Sequence, residues 1–163
     1  MLLLGLVFLC AARAEPGQAS SYKAKLQNFV QTYVGDAYDA KYTPSMNFDV
    51  PTVWLYSPKG DIIMQASSAE DGALSKLVNA FPPEPATAPL TGQPNLAFVD
   101  KVLAKVVSSA PAPLATQTAQ WTAVLFLTDA PDCKQCAGFE KTMQELAGKN
   151  AGHLRLVRVT LLQ

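Results

Sequence analysis

Four segments of the chain carry apolar residues at positions three and four apart, the spacing of an amphipathic helix. Ser20 or Ser21 is expected to cap the first helix and Gly35 to end it, whereas Ser68 together with Asp71 is expected to cap the second. Because each helix has one apolar face, each is expected to pack against a sheet or another helix. The predicted helices are Tyr22 to Val34, Asp71 to Phe81, Asn95 to Ser109 and Cys133 to Lys149.

Extended segments lie between these helices. Pro51 to Ser57 and Asp61 to Ala66 are rich in β-forming residues, and the turn Ser57 to Gly60 joins them, so we predict a β-hairpin. Thr122 to Thr128 is almost continuously apolar, as is typical of a strand buried on both faces of a sheet. His153 to Leu162 is predicted to be a second buried strand.

Three stretches have no clear period. Asp36 to Asn47 is predicted to be a loop. Pro82 to Pro94 contains five prolines and is predicted to be a semi-rigid spacer, and Ala110 to Gln120 is a second connector rich in Pro, Ala, Thr and Gln. Helices that alternate with strands predict the α/β class, and 163 residues suffice for one domain.

Composition excludes several classes of protein. Hydrophobic residues make up 49% of the chain and charged residues 16%, which excludes a disordered charged tail. The 13 basic and 13 acidic side chains balance, so no excess of positive charge favours nucleic acid as a partner. Three cysteines are too few for a small domain held together by disulfides.

The first fourteen residues have the pattern of a secretory signal peptide. An apolar run ends at Leu9, and Ala12 and Ala14 supply the small residues that signal peptidase requires, so we predict cleavage before Glu15 and a periplasmic protein. Lipidation at Cys10 is the alternative, but Leu9 is not the small residue expected there. No other segment of the sequence is long and apolar enough to span a membrane, so no span is expected after signal removal.

Cys133-Lys134-Gln135-Cys136 lies after a predicted buried strand, at the start of a predicted helix. The positive end of a helix dipole lowers the pKa of a nearby thiol and so raises its thiolate fraction. Cys133 is therefore predicted to be the nucleophile, and Cys136, three residues on, the resolving thiol. Lys134 would stabilise the Cys133 thiolate and Asp132 would oppose it.

At these residues the chain resembles the thioredoxin-like superfamily, in which a buried strand delivers Cys-x-x-Cys to the start of a helix. A second hallmark of that superfamily is a cis-proline opening a strand beside the cysteines, and Val50-Pro51 with the hairpin that follows is similar to it. The resemblance covers about Asn47 to Phe81 and Trp121 to Gln163. It implies a thioredoxin-like fold with a central mixed sheet flanked by helices, and thiol–disulfide exchange without a cofactor. It also implies that Val50 offers its backbone to an extended substrate segment.

The two halves stand in the reverse of the superfamily's order. The segment with the proline, 20–81, precedes the segment with the cysteines, 95–163, and the spacer 82–94 joins them. We interpret this order as a circular permutation of one domain, 15–163; the rival interpretation is two incomplete halves that exchange between chains of a dimer. The sequence also departs from the superfamily at two positions. Leu127 replaces a buried acid found in many thioredoxins, and Asp132 replaces the common tryptophan before the first cysteine.

The predicted function is therefore exported thiol–disulfide exchange with cysteines of other exported proteins, supported by a redox partner protein and with a homodimer as one possibility. The alternative is a non-catalytic thioredoxin-like module of an envelope assembly, such as a secretion or conjugation apparatus, whose disulfide is structural. A zinc site would need a second cysteine pair, so no resident metal is expected. Copper delivery by the two cysteines and His153 is the weaker metal hypothesis.

Overall fold

The computed structural model describes residues 20–43, 48–107 and 120–163. These residues form an α/β fold, in which helices flank one five-stranded mixed sheet, an architecture compatible with the thioredoxin-like fold. The predicted signal peptide, Cys10, Pro44 to Asn47 and most of the second connector lie outside the described residues. The elements are β1 (Ser20–Lys25), α1 (Leu26–Asp39), β2 (Thr52–Tyr56), β3 (Ile62–Ser67), α2 (Ala73–Asn79), α3 (Leu96–Val106), β4 (Trp121–Thr128), α4 (Cys136–Lys149) and β5 (Leu154–Leu162).

The sheet has the strand order β1-β5-β4-β2-β3. β5 pairs in parallel with β1 and with β4, whereas β2 pairs antiparallel with β4 and β3. Thr52 of β2 lies opposite Phe126 of β4, so the amino end of β2 and the carboxyl end of β4 share one edge of the sheet. Both strands of the predicted hairpin and both predicted buried strands are confirmed, with small shifts at their ends.

β4 is the central strand, and its two faces belong to two different clusters of the core. Residues 122–127 are all buried, as the apolar run predicts. Val124 and Phe126 pack with residues of α1 and α3, whereas Leu125 and Leu127 pack with residues of α2 and α4. We call these two sides the α1/α3 face and the α2/α4 face.

The prediction of a helix from Tyr22 to Val34 is wrong at both ends. Residues Ser20–Lys25 form β1, which hydrogen-bonds to β5 and buries Tyr22 and Ala24 on alternate positions. The helix begins only at Leu26 and continues through Gly35 to Asp39, so the loop expected from Asp36 starts later. Its buried stripe of Phe29, Tyr33 and Ala37 extends past Gly35, and this packing outweighs the helix cost of one glycine, about 1 kcal/mol.

Two further helices end earlier than predicted, α2 at Asn79 and α3 at Val106. Asn95 caps α3, since its side chain accepts a hydrogen bond of 2.9 Å from the Phe98 amide. The predicted cap of α2 by Ser68 and Asp71 is wrong, because α2 begins after Gly72, whose left-handed conformation turns the chain into the helix without a side-chain cap.

The proline-rich spacer contains no helix or strand, but it is hydrogen-bonded to the domain. The Leu90 amide donates to the Ile62 carbonyl of edge strand β3 at 2.9 Å, and the Thr43 amide donates to the Gly92 carbonyl at 2.8 Å. Gly92 has a positive φ of 75°, and a Cβ there would lie 2.2 Å from Thr43 Oγ1. Only glycine therefore permits this approach between the spacer and the segment after α1.

Five aromatic side chains form a cluster on the α1/α3 face, with ring centroids of contacting pairs 4.6 to 6.3 Å apart. Rings at such separations attract one another in addition to burying apolar surface. The cluster joins α1, the segment before β2, β2 itself and β4. We call these five residues the aromatic cluster: Phe29, Tyr33, Phe48, Trp54 and Phe126.

We predict that Phe126→Ala lowers the free energy of unfolding by about 3–5 kcal/mol, because it opens a cavity where Phe29, Phe48 and Trp54 meet. Urea denaturation followed by circular dichroism measures the change. Tyr38→Ala is the matched control, since Tyr38 is 81% exposed, and it should change stability by less than about 0.5 kcal/mol. Equal losses of unfolding free energy in the two variants would contradict the prediction that packing in the aromatic cluster stabilises the fold.

Tyr56→Phe should weaken the loss of stability at alkaline pH. Burial, and then the neighbouring Tyr33, hold the pKa of Tyr56 well above its usual value of 10.0. Above about pH 10 the unfolded chain releases this proton and the folded chain does not, so stability falls by about 1.4 kcal/mol per pH unit for this tyrosine. Urea unfolding between about pH 9 and pH 11, on either side of the usual pKa of tyrosine, measures the slope of stability against pH.

The same variant should gain about 1 kcal/mol at neutral pH, because the buried Tyr56 hydroxyl has no hydrogen-bond partner among the described residues. Tyr38→Phe, on the surface, is the control for both measurements. An unchanged alkaline slope in Tyr56→Phe would show that this hydroxyl is not kept from ionising in the folded protein.

Candidate functional site

The two cysteines of the described chain form a disulfide in the segment between β4 and α4. The Cα atoms of Cys133 and Cys136 are 5.5 Å apart. Helix α4 begins at Cys136, not at Cys133 as predicted, because the Cys133 amide donates to Ala130 and the Cys136 amide to Cys133 in two successive turns. The nucleophile predicted at the helix start therefore lies three residues before the first helical residue.

The two sulfur atoms have different surroundings. Cys136 packs against the core cluster on the α2/α4 face, and its Sγ lies 3.9 Å from the Thr128 carbonyl oxygen. Cys133 is half-buried between two exposed residues, Asp132 and Lys134. Both cysteines are half-buried, and of the two Cys136 is the one that packs against a core cluster.

The electrostatic setting favours negative charge at this position. Helix α4 has 14 residues, and Gln135 at its N-cap contributes no side-chain hydrogen bond to the first turn. The amides of that turn carry the positive end of the helix dipole, which stabilises an anion nearby. Asp132 and Lys134 add one charge of each sign, as the sequence indicates.

The cysteine loop, residues 129–135 between β4 and α4, is attached to β5 and to Gln163 just after it through contacts that sequence reasoning missed. Thr128 Oγ1 accepts hydrogen bonds from the Ala130 amide and from Gln163 Nε2, both at 3.2 Å, and Asp129 Oδ1 accepts one from the Gln163 amide at 3.0 Å. Arg158 of β5 pairs with Glu140 of α4 at 3.1 Å. The contacts of Gln163 and Arg158 join residues far apart in sequence, so no local motif could have indicated them.

The predicted substrate-binding dipeptide lies at the same edge of the sheet as the cysteines. The Val50–Pro51 peptide bond is cis, Pro51 is buried, and its carbonyl accepts a hydrogen bond of 3.0 Å from the Ser68 amide. Extending the register of β2 and β4 places Val50 level with Thr128, at the start of the cysteine loop. The backbone of Val50 forms no hydrogen bond with any described residue.

The structure separates His153 from the cysteines. The His153 carbonyl accepts a hydrogen bond from the Trp121 amide, at the amino end of β4, whereas the cysteines follow its carboxyl end. The length of β4 puts roughly 23 Å between these ends. Residues 20–43, 48–107 and 120–163 contain no group of three or more His, Cys, Asp or Glu side chains arranged to hold a metal ion.

Within residues 20–43, 48–107 and 120–163, none of the helices combines the length and the apolar character needed to cross a membrane.

Comparison with known proteins gives no match to a family model, to a curated protein or to a solved structure.

We predict that reduction of the disulfide leaves the protein folded. The bridge spans a sequence separation of 3, and closing so short a loop stabilises a protein by only about 2 kcal/mol. Urea unfolding with and without a reductant measures the difference, with the Cys133→Ser/Cys136→Ser double variant as a reductant-free control. Loss of the fold on reduction would mean that the disulfide is a structural requirement.

Proposed function

We propose that this protein is an exported thiol–disulfide oxidoreductase of the thioredoxin-like superfamily, which exchanges disulfides with cysteines of other exported proteins. The observation that carries the proposal is the half-buried disulfide at the junction of β4 and α4, beside a backbone segment at Val50 that is left unpaired within the described residues. Reactive cysteines need such partial exposure, whereas inert cysteines are enclosed.

The reaction transfers two electrons. In the reducing direction, the Cys133 thiolate attacks one sulfur of a substrate disulfide, the substrate S–S bond breaks, and the second substrate sulfur leaves as a thiolate that takes up a proton. Cys136 then loses its proton and attacks Cys133 in the mixed disulfide. This step forms the Cys133–Cys136 disulfide and releases the first substrate thiol. The oxidising direction is the same sequence reversed.

The surroundings of the two sulfurs support this assignment of roles. Cys133 is half-buried between the exposed residues Asp132 and Lys134, close to the amino end of α4, and we propose that a partner's sulfur approaches it there. Cys136 lies against the core within bonding distance of Cys133, as a resolving thiol must. Leu127 is buried where many thioredoxins carry an acid, so water is the proton acceptor that we propose for Cys136.

Val50 supplies the docking position in this proposal. An extended partner segment can hydrogen-bond by β-augmentation to its amide and carbonyl, which have no partner among the described residues, next to Pro51 and opposite the start of the cysteine loop. Main-chain pairing of this kind gives affinity without demanding one substrate sequence. Val50 and Pro51 are therefore the substrate-binding residues of the proposal.

A circular permutation of one domain accounts for the order of the halves. Strands from the proline half and from the cysteine half meet in one sheet, where β2 of the first half pairs with β4 of the second. The spacer 82–94 joins the halves and is hydrogen-bonded to β3. We propose that this arrangement forms within each chain, with exchange between two chains as the alternative.

We further propose that the chain is exported to the periplasm. The amino-terminal pattern is that of a secretory signal, and a disulfide persists in an oxidising compartment. Its partners would be exported proteins that contain cysteines, together with a redox protein that resets the Cys133–Cys136 pair.

One observation favours a non-catalytic module instead. Cys136 is both the first residue of α4 and part of a core cluster, so the disulfide could serve only to fix the start of that helix. The reduction potential separates the two functions, because structural disulfides resist reduction by glutathione and catalytic disulfides do not.

We predict a reduction potential between about −120 and −270 mV for the Cys133–Cys136 pair, measured by equilibration with glutathione buffers. The pKa of the reduced Cys133 thiol should lie well below about 8.5, because the amino end of α4 stabilises its thiolate. A potential below about −300 mV together with an unreactive thiol would overturn the enzymatic proposal in favour of the structural module.

Two single variants test the roles of the cysteines. Cys136→Ser should accumulate a mixed disulfide with a model disulfide substrate, because Cys133 attacks and nothing resolves the intermediate. Cys133→Ser, the matched control, should trap at least about tenfold less at equal times, since its remaining thiol is backed by the core. Equal trapping by both variants would contradict the assignment of Cys133 as the nucleophile.

A further inference from the structure

A cavity of ≈ 240 Å³ lies directly beside the Val50–Pro51 dipeptide, on the α1/α3 face of the sheet. Asp49 and Thr52, the residues on either side of the dipeptide, both line it. An apolar cavity of about 150 Å³ can hold benzene, and pockets for drug-sized ligands measure about 300–1,000 Å³. The volume therefore suits one amino-acid side chain better than a cofactor.

The wall of the cavity combines aromatic rings with one buried oxygen atom that lacks a hydrogen-bond partner among the described residues. Tyr33, Phe48 and Trp54 of the aromatic cluster form its apolar part. Gln93 uses its Nε2 to hold the Thr43 carbonyl at 3.1 Å, and its buried Oε1 has no hydrogen-bond partner among the described residues. A ligand that donates hydrogen bonds would satisfy this oxygen.

The charge of the cavity selects the sign of the ligand. Asp49 is exposed and forms no ion pair with any described residue, and among the residues that line the cavity none is basic. A carboxylate, an unpaired amide oxygen and aromatic faces are the groups that bind an ammonium or a guanidinium. An acidic ligand would instead meet the negative charge of Asp49.

The position of the cavity relates it to the cysteines. Successive side chains of an extended segment point to opposite faces of a sheet. Cys136 packs on the α2/α4 face, whereas the cavity opens on the α1/α3 face beside Val50. A segment that pairs with Val50 and directs its cysteine to Cys133 would therefore direct a neighbouring side chain toward the cavity.

We infer that this cavity binds an arginine or lysine side chain next to the target cysteine of a partner protein. Asp49 and Gln93 Oε1 bind the cationic group, and the aromatic cluster packs against its aliphatic stem. This inference rests on the proposed function, because it assumes that a cysteine-containing segment docks at Val50. It gives the proposed enzyme a preference for partners with a basic residue next to the target cysteine, which the cysteine pair alone would not provide.

The kinetic test uses short peptide disulfides that differ only in the residue beside cysteine: arginine, norleucine or glutamate. The reduced protein should reduce the arginine peptide about tenfold faster than the glutamate peptide at low ionic strength, with norleucine between them. Asp49→Asn should cut this ratio to less than about threefold, and Asp49→Lys should invert it. Asp39→Asn makes the same charge change at the exposed last residue of α1 and should leave the ratio unchanged.

A binding test does not depend on redox chemistry. The same peptides with serine in place of cysteine are added to the oxidised protein at about 1 mM, and the Trp54 indole resonance is followed by NMR. The arginine peptide should shift this resonance and the glutamate peptide should not, and Asp49→Lys should abolish the shift.

The outcomes separate the two proposals. Equal reduction of all three peptides, without a shift at Trp54, overturns the cavity's role and leaves the enzymatic proposal standing. If no peptide is reduced, the enzymatic proposal fails, and the NMR titration alone decides whether the cavity binds a cation.

Discussion

The burial of β4 on both faces is the constraint on which the rest of the molecule depends. Because Val124 and Phe126 face one side and Leu125 and Leu127 the other, helices must cover both sides of the sheet. β4 also hydrogen-bonds on both edges, in parallel to β5 and antiparallel to β2. A strand fixed in this way ends at a defined place, and the cysteine loop starts there.

The site combines a rigid support with accessible chemistry. Thr128 and Asp129 are hydrogen-bonded to Gln163, and Glu140 is paired with Arg158, so β5 and the residue after it anchor the segment on both sides of the disulfide. Two side-chain hydrogen bonds and a partly exposed ion pair contribute modestly to stability, on the order of 1 kcal/mol each. Their larger effect is on geometry. They fix the position of Cys133 relative to Val50, which precedes β2 at the same edge of the sheet.

The sequence predicts most of this architecture because most of its elements have a strong local pattern. The hairpin has two runs of β-forming residues around a Pro-x-Gly turn, β4 is almost continuously apolar, and α3 has apolar residues at helical spacing. β1 was missed because Ser20–Lys25 gains its partner from β5, more than 130 residues away, and the helical stripe from Leu26 onward dominates the local pattern. The cavity could not be predicted for the same reason, since Asp49 and Gln93 meet only through the fold. The cysteine pair and Val50-Pro51, by contrast, are local motifs that the sequence shows directly.

The contact between Gly92 and Thr43 gives the proline-rich spacer a role beyond joining two halves. This contact holds the spacer against the chain after α1, and the next residue, Gln93, forms part of the cavity wall. The cysteines lie on other elements altogether. In the proposed function, partner preference and redox chemistry would be encoded in separate parts of the chain, so that insertions or exchanges in the spacer would change recognition during evolution without altering the sulfur chemistry.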